Sequence, residues 1–510
     1  MIWRIARKEV LLNLMTFRFA VGVLLCVVLT GVFVPALIGD YREGRAEYDK
    51  QVAEREAQLR QSRVYINILW GGRYRVYLPP PVLSVFSAGL HKRLQGSAQI
   101  RIGEVPEISS RPIAVNPYAA TLPMLDVSTI FAVILSLLAV LIASDVISAE
   151  CERGTLRLTL STPVARYSVL LGKCLAGLMT LLVPLTIAFL VATLILVSSS
   201  HVDLTAADWA RLGWMYVISL VFVGAMFHLG LLASCLTRRS SVSLLSALFL
   251  WIVLVQTVPH AGVYLAAHID PIESQEEVNS RLEIVRKERD KEIDELWDRV
   301  GYGGEEVASE DMFGQWCVVV CDDEGMKHRQ QRFALSESTY VRYAERDWQI
   351  KHRYAAELLQ QKKLADRLAR LSPIAAYQNA MSALAGTDVA GSRHFIERAR
   401  EHRMAVIDYL RSKTDNFSAP LYFTQCTRAD QTFYRQYLDK QVSEEQFQQW
   451  KTRKLAQMQP LDLQDFPRFV RRSDVVGALR NALADALALA VAGLLFLALS
   501  FWAFMRCDIR

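Results

Sequence analysis

The sequence lacks the short motifs that carry most nucleotide, metal and hydrolytic chemistry. It has no G-x-x-x-x-G-K-[ST] phosphate loop, because Gly172-Lys173-Cys174 has neither the upstream glycine nor the hydroxyl. H-E-x-x-H, C-x-x-C and G-x-S-x-G are also absent, and the nine histidines are scattered without a pair at metal-ligand spacing. We therefore predict that the chain is not an enzyme, has no catalytic residue or metal site, and binds no cofactor itself.

Charged residues are nearly absent from six long stretches, at residues 19–39, 127–144, 174–197, 212–236, 242–267 and 482–505. Each has 18 to 26 residues, enough for a helix to cross ~30 Å of hydrocarbon. A soluble protein would need a very large core to hide six such stretches. The pattern predicts a mainly α polytopic membrane protein with six transmembrane helices.

The short polar segments predict the orientation. Twelve lysines and arginines against five acidic residues lie in segments 1–18, 145–173, 237–241 and 506–510. The positive-inside rule makes that side cytoplasmic, with both termini inside and segments 40–126, 198–211 and 268–481 outside. This surface accounts for the net charge of +6, and no aromatic-basic RNA motif is present, so we expect no nucleic-acid partner.

Residues 1–18 mix Arg4, Arg7 and Lys8 with apolar residues, which suits an interfacial helix in the lipid headgroup layer. A signal peptide is the alternative, although five more spans follow and no small-residue cleavage site is evident. In segment 40–126, a charged run continues the first span as helix. Two β-like stretches, 64–69 and 74–78, flank Gly71-Gly72 and predict a hairpin, with residues 99–102 as a further strand.

Segment 40–126 is therefore predicted as a small external α+β segment. The larger external segment, 268–481, has apolar residues near helical spacing and is predicted as a helical domain. Its predicted helices cover residues 273–300, 336–371, 373–385, 392–412 and 443–458.

Few polar residues fall within or at the ends of the apolar stretches. Asp126 and Asp485 stand at the outer ends of their spans, where water can reach them, and we interpret them as rim residues. His228 is the only ionisable residue deep in a span, which makes it an intramembrane functional candidate. The alternative is a structural role, with a neutral ring bonded to a backbone carbonyl.

Three cysteines lie in the predicted external domain, where disulfides are permitted: Cys317, Cys321 and Cys426. They allow at most one internal bridge. Cys317 and Cys321 would be ~13 Å apart in a strand and could pair only in a turn or helix. We favour a bridge from one of them to Cys426.

The connection between the second and third apolar stretches, residues 145–173, is here called the polar link. Gly154 can end a helix, Thr155 can cap a new one, and Pro163 stops it after about two turns. A helical wheel then places Glu150, Arg153 and Arg157 on one side. A soluble partner could grip such a short charged helix at the membrane surface.

The ordered residues of the polar link resemble the cytoplasmic coupling segment of ABC-2-type permeases, the membrane subunits of ATP-driven exporters. The run reads E-x-E-x-G-T-L, then T-P-V-x-R, then G-K. The N-terminal helix is also similar. The S-P…L-A-G-T piece at 372–387 resembles the branch with a large extracytoplasmic domain between spans five and six. The resemblance implies that these residues couple to an ATPase: Glu150, Glu152, Arg153, Gly154, Thr155, Arg157, Pro163 and Arg166.

The resemblance further implies a permease subunit that exports an unidentified substrate across the bacterial cytoplasmic (inner) membrane. It would pair with a second copy or a similar permease, and separate ATP-binding-cassette ATPase subunits would bind ATP and Mg. Two alternatives remain. The first is a mechanotransmission complex that moves its external domain to act on a periplasmic or envelope protein, and the second is a membrane-anchored receptor or scaffold.

Overall fold

The computed structural model describes residues 2–69, 74–89, 96–110, 126–161, 164–199, 202–301, 323–415, 428–457, 459–470 and 475–506. Its helices, in chain order, are α1 (Ile2–Leu14), α2 (Phe17–Gln61), α3 (Ile66–Leu69), α4 (Val127–Ile130), α5 (Ser136–Ser144), α6 (Ser148–Glu152), α7 (Thr155–Ser161), α8 (Arg166–Val197), α9 (Ala206–Leu236), α10 (Ser240–Ile252), α11 (Val258–Ile269), α12 (Gln275–Val300), α13 (Asp323–Ala369), α14 (Pro373–Ala385), α15 (Val389–Thr414), α16 (Arg428–Leu438), α17 (Glu444–Gln457) and α18 (Val475–Arg506).

Within these described ranges, six helical stretches are long and apolar enough to cross a membrane, which confirms the predicted fold class. They are Phe17–Gln61, Val127–Glu152, Arg166–Val197, Ala206–Leu236, Ser240–Ile269 and Gly477–Arg506. The first is much longer than a bilayer requires, because the charged run after residue 39 continues as helix.

Two of the spans contain a π-helical turn, Phe131–Leu135 in the second and Val253–Thr257 in the fifth. The wider turns leave carbonyl groups that need other partners. Ser372, the N-cap residue of α14, donates from Oγ to the Leu254 carbonyl oxygen at 2.5 Å. Trp251 Nε1 donates to Ser136 Oγ at 2.9 Å and joins the two irregular spans to each other.

The short polar segments meet on one side of the spans, which we call the link side. Arg18 pairs with Asp145 at 2.5 Å, so the start of α2 meets the polar link. At the end of α18, the Met505 carbonyl oxygen accepts a hydrogen bond from Arg166 at 3.3 Å. The opposite side, the domain side, carries a small sheet and the helical domain formed by α12, α13 and α15 to α17.

The predicted hairpin around Gly71-Gly72 is wrong. Residues 66–69 form helix α3, while β1 (Arg75–Tyr77) pairs antiparallel with β2 (Gly96–Gln99). β2 pairs in turn with β3 (Ile108–Ser110), giving the order β1-β2-β3. The apolar residues from Val64 to Leu69 are buried consecutively, and a half-exposed strand would bury only alternate ones.

The sheet is fastened to the helical domain by a buried arginine of α15. Arg403 donates from Nε to the Arg101 carbonyl oxygen at 2.7 Å and from Nη2 to that of Ile102 at 2.5 Å. Burial lowers the pKa of Arg403 to about 10, so it remains charged at neutral pH. Two segments about 300 residues apart thereby form one core.

His402 packs in the same core against Tyr74, whose hydroxyl lies 2.7 Å from the histidine Nε2. Burial, together with the nearby charges of Arg55 and Arg398, lowers the pKa of His402 to about 4. In an unfolded chain the same ring would titrate near pH 6.5. The lowered pKa of His402 therefore contributes its full stabilisation of the folded state above pH 6.5. This contribution is lost as the pH falls towards 4.

We expect that acidification from pH 7.5 to 5 lowers the protein's free energy of unfolding by up to about 2 kcal/mol through His402 alone. Thermal unfolding of the purified protein at both pH values should show a smaller acid loss in His402→Gln, which cannot titrate. His352→Gln, an exposed histidine on α13, is the matched control and should retain the full loss. An equal acid loss in His402→Gln and the unaltered protein would contradict this assignment.

Candidate functional site

The polar link folds as two short helices, α6 and α7, separated by a turn at Gly154. Gly154 has φ +71°, a left-handed conformation that favours glycine, and its N–H bonds to the Cys151 carbonyl oxygen at 3.2 Å. Thr155 does not cap α7, because it is the first helical residue and its hydroxyl donates backwards to the Glu150 carbonyl oxygen at 3.4 Å. Pro163 lies outside the described residues.

A buried lysine at the start of the third span holds the polar link against the N-terminal helix. Lys173 is only 4% exposed, and its Nζ lies 2.9 Å from Glu9 Oε1 and 2.8 Å from Glu150 Oε1. At the neighbouring Gly172, a Cβ atom would come within 3.0 Å of the Ile5 side chain. The G-K pair of the sequence therefore brings α1, α6 and α8 together.

Glu150 does not share a face with Arg153 and Arg157, so that prediction is wrong. Glu150 turns inward to Lys173, while both arginines are exposed. The reason is the left-handed turn at Gly154, which interrupts the helical register that the wheel assumed. Glu150 Oε2 is buried and has no hydrogen-bond partner in the described part of the chain, so the contact of Oε1 with Lys173 is what compensates for the burial of this carboxylate.

Two other predicted coupling residues also bind within the chain. Glu152 Oε2 accepts a hydrogen bond from the Ser240 backbone N–H at 2.9 Å, at the N-terminus of α10. A carboxylate is favourable there because the helix dipole is positive at that end. Arg166 reaches the last turn of α18 through the Met505 carbonyl oxygen. The polar link is thus bonded directly to the fifth and sixth spans.

The remaining predicted residues form an outward surface. Arg153, Thr155 and Arg157 are exposed, and Leu158 beside them is 71% exposed. Leu156, on the opposite side of α7, is buried against the spans. We call Arg153, Thr155, Arg157 and Leu158 the exposed face. Arginines around a protruding apolar side chain are the composition that favours a protein partner.

His228 joins three spans. Its Nδ1 lies 3.1 Å from the Gly493 carbonyl oxygen in α18, and its Nε2 lies 3.3 Å from Cys174 Sγ in α8. Both ring nitrogens have partners within the bundle, which favours the structural alternative, and a functional role stays a prediction. Cys317, Cys321 and Cys426 lie outside the described residues. In the part that is described, no group of three His, Cys, Asp or Glu residues could hold a metal.

The aspartates predicted as water-exposed rim residues are buried, which corrects that interpretation. Asp126 is 5% exposed and accepts hydrogen bonds from the backbone N–H groups of Ala88 and Thr129, both at 2.7 Å. Asp485 is 7% exposed and pairs with Arg370 Nε at 2.6 Å. Segments distant in sequence cover both span ends, and each carboxylate fastens one of those segments to a span.

Helix α14 is a second junction, between the spans and the helical domain. Tyr377 is fully buried, stacks on Phe222 of the fourth span with ring centroids 4.3 Å apart, and contacts the Ser219 hydroxyl at 3.0 Å. Thr387, just beyond α14, donates to the Ser87 carbonyl oxygen at 3.0 Å. The sequence predicted this helix but not its position among the spans.

Residues 3–509, nearly the whole chain, match the profile of a family described as ABC-2 family transporter protein. A comparison with curated proteins finds no match.

Proposed function

Because this chain belongs to the ABC-2 transporter family, we propose that it is the membrane-spanning permease subunit of an ATP-binding-cassette exporter. Separate ATPase subunits bind ATP and Mg, and the permease works as a dimer with a second copy or a similar permease. The link side faces the cytoplasm of a bacterial cell, and the helical domain faces outward from the cytoplasmic membrane. The exported substrate is unidentified.

The exposed face of the polar link is the observation that carries this proposal. Its arginines and Leu158 are available to a partner, whereas Glu150 pairs with Lys173 and the exposed Glu152 bonds to the Ser240 backbone N–H. A partner that pushes on α7 would move α6 and the second span together. The same movement would reach the third span through the contact of Glu150 with Lys173 and the fifth span through that of Glu152 with Ser240. It would reach the sixth span through the hydrogen bond from Arg166 to Met505.

Reversing both exposed charges should uncouple the ATPase. For Arg153→Glu with Arg157→Glu we expect permease-stimulated ATP hydrolysis to fall at least about tenfold, because a partner surface complementary to two cations would then face two anions. The measurement is ATPase activity of the purified complex in lipid vesicles. Lys287→Glu with Lys291→Glu, a matched pair on exposed α12, should leave stimulation unchanged.

Stimulation that survives the reversal of Arg153 and Arg157 would show that the exposed face is not the coupling surface. If no ATPase subunit co-purifies with the unaltered protein, the receptor or scaffold alternative gains instead. Because both arginines are exposed, we expect the double variant to fold, and unchanged thermal unfolding would verify this.

A mechanotransmission complex is the second candidate, favoured by the helices that join the two sides. Helix α2 continues from Phe17 on the link side to Gln61 on the domain side, and α14 packs against both spans and domain. A movement of the spans would therefore reach the helical domain without any solute crossing. Solute counterflow in vesicles distinguishes the candidates, because only an exporter exchanges labelled solute across the membrane.

A further inference from the structure

The helical domain contains a cavity of about 780 Å³ between α12, α13 and α15. Its volume lies within the range of small-molecule sites. The inner wall is apolar and is formed by Val278, Leu282, Trp348, Leu359, Val389 and Ile396. Val278 and Leu282 on α12 are buried. On α13, the small side chains of Ala355 and Ala356 line the cavity and are exposed, so the cavity is open to solvent beside them. The cavity is therefore an open-sided apolar slot within a highly charged domain.

The charges around the cavity are largely neutralised by one another. Arg393 pairs with Glu397 at 2.8 Å, and Lys351 pairs with Glu107. Arg286 lies 3.8 Å from Asp347, just behind the wall. A strongly anionic or cationic ligand would have to break these pairs, whereas an apolar or electrically neutral ligand would not.

Trp348 forms the end of the cavity far from the membrane, and its indole ring is held in place. The His352 ring stacks on it with centroids 5.2 Å apart, and the Arg400 guanidinium lies 5.2 Å from its centroid. The aromatic wall is thus preorganised, which reduces the entropy cost of binding an apolar group against it.

The opposite end of the cavity lies beside the end of the fifth span. Gln361 Nε2, two residues after Leu359, donates to the Asp270 carbonyl oxygen at 2.7 Å, directly after α11 ends. Further along α13, Ala365 and Ala369 pack against Gly262 of that span. At 1.5 Å per residue, Leu359 stands ~15 Å along α13 from Ala369. The near end of the cavity therefore lies on the same helix that packs against the outer end of the fifth span.

We propose that this cavity binds the acyl chain of an electrically neutral amphiphile, such as a zwitterionic phospholipid, that enters from the membrane. The apolar wall takes the chain, and the paired charges at the rim face the headgroup. Lipid at this site would contact α12, α13 and α15 together, so it would also stabilise their packing. The proposal goes beyond the permease function and holds for an exporter or a mechanotransmission complex.

Photocrosslinking in lipid nanodiscs tests the proposal with the full chain. The probe is phosphatidylethanolamine carrying a diazirine on one acyl chain, and mass spectrometry maps the labelled residues. We expect label on the α12, α13 and α15 segments that line the cavity, in addition to the spans. Ala355→Trp with Ala356→Trp fills the slot from exposed positions. It should lower cavity labelling at least about fivefold, because the two indole rings would occupy the space of the acyl chain.

Two controls make the outcome decisive. Labelling of the spans must stay constant in every variant, and Ala456→Trp, at an exposed position of α17, should not alter cavity labelling. A water-soluble, short-chain zwitterionic phosphatidylcholine with a diazirine, added from solution, separates the two sources: cavity label from this probe alone would overturn entry from the membrane. Absence of cavity label from both probes, with the spans labelled normally, would overturn the acyl-chain site.

Discussion

Replacing Lys173 by methionine is expected to release the N-terminal helix from the spans. The substitution leaves Glu9 and Glu150, which are 21% and 26% exposed, as neighbouring carboxylates with no cation between them. Removing one partner of a buried ion pair costs on the order of 3 kcal/mol. Amide exchange in α1 should therefore become about 100-fold faster, as measured by hydrogen–deuterium exchange of the purified protein.

Two comparisons separate charge from packing at this site. The neutral set Glu9→Gln, Lys173→Met and Glu150→Gln removes the repulsion and should recover most of the lost protection. Arg166→Met, on the same helix, removes one hydrogen bond to Met505 and should change α1 exchange little. If Lys173→Met leaves exchange in α1 unchanged, the buried lysine does not hold the N-terminal helix.

Truncating Tyr377 to alanine is expected to loosen the helical domain from the spans. The fully buried ring stacks on Phe222, and its loss leaves a cavity between α14 and the fourth span. Removing a buried aromatic ring costs about 3–5 kcal/mol. The melting temperature of the purified protein should fall by several degrees, and protease cleavage around α14 should accelerate.

Tyr377→Phe is the matched control, because it keeps the ring and removes only the hydroxyl. Ser219 retains its hydrogen bond to the Met215 carbonyl oxygen at 2.8 Å, so no polar group is left without a partner. The cost should be about 1 kcal/mol. Equal destabilisation by the two variants would mean that the hydroxyl, rather than ring packing, fastens α14 to the spans.

The spans could be predicted from sequence because lipid imposes a length and an apolar composition on each segment separately. Their ends could not. The third span was predicted from residue 174, but its helix begins at Arg166, because backbone hydrogen bonding continues through the polar residues. The apolar stretch 64–69 has no such external constraint, and its short length suited either a strand or a buried helix.

The polar link shows more clearly how far the structure can be predicted from the sequence. Its residues could be identified from their order, but their division into inward and outward groups could not. That division depends on the backbone angle at Gly154 and on Glu9, a residue more than 140 positions away from Glu150 that no local pattern singles out. The burial of Asp126 and Asp485 could not be predicted for the same reason, because their partners Ala88 and Arg370 lie 38 and 115 residues away in the sequence.

The length of α2 has a mechanical consequence. Its 45 residues extend about 67 Å at 1.5 Å per residue, roughly twice the hydrocarbon thickness of a bilayer. Pro35 lies inside the helix and lacks the N–H that would bond one turn back, so the segment from Pro35 to Gln61 can pivot at this point. That segment extends about 40 Å, and a tilt of about 10° at Pro35 would displace Gln61 by roughly 7 Å, more than the rise of one helical turn.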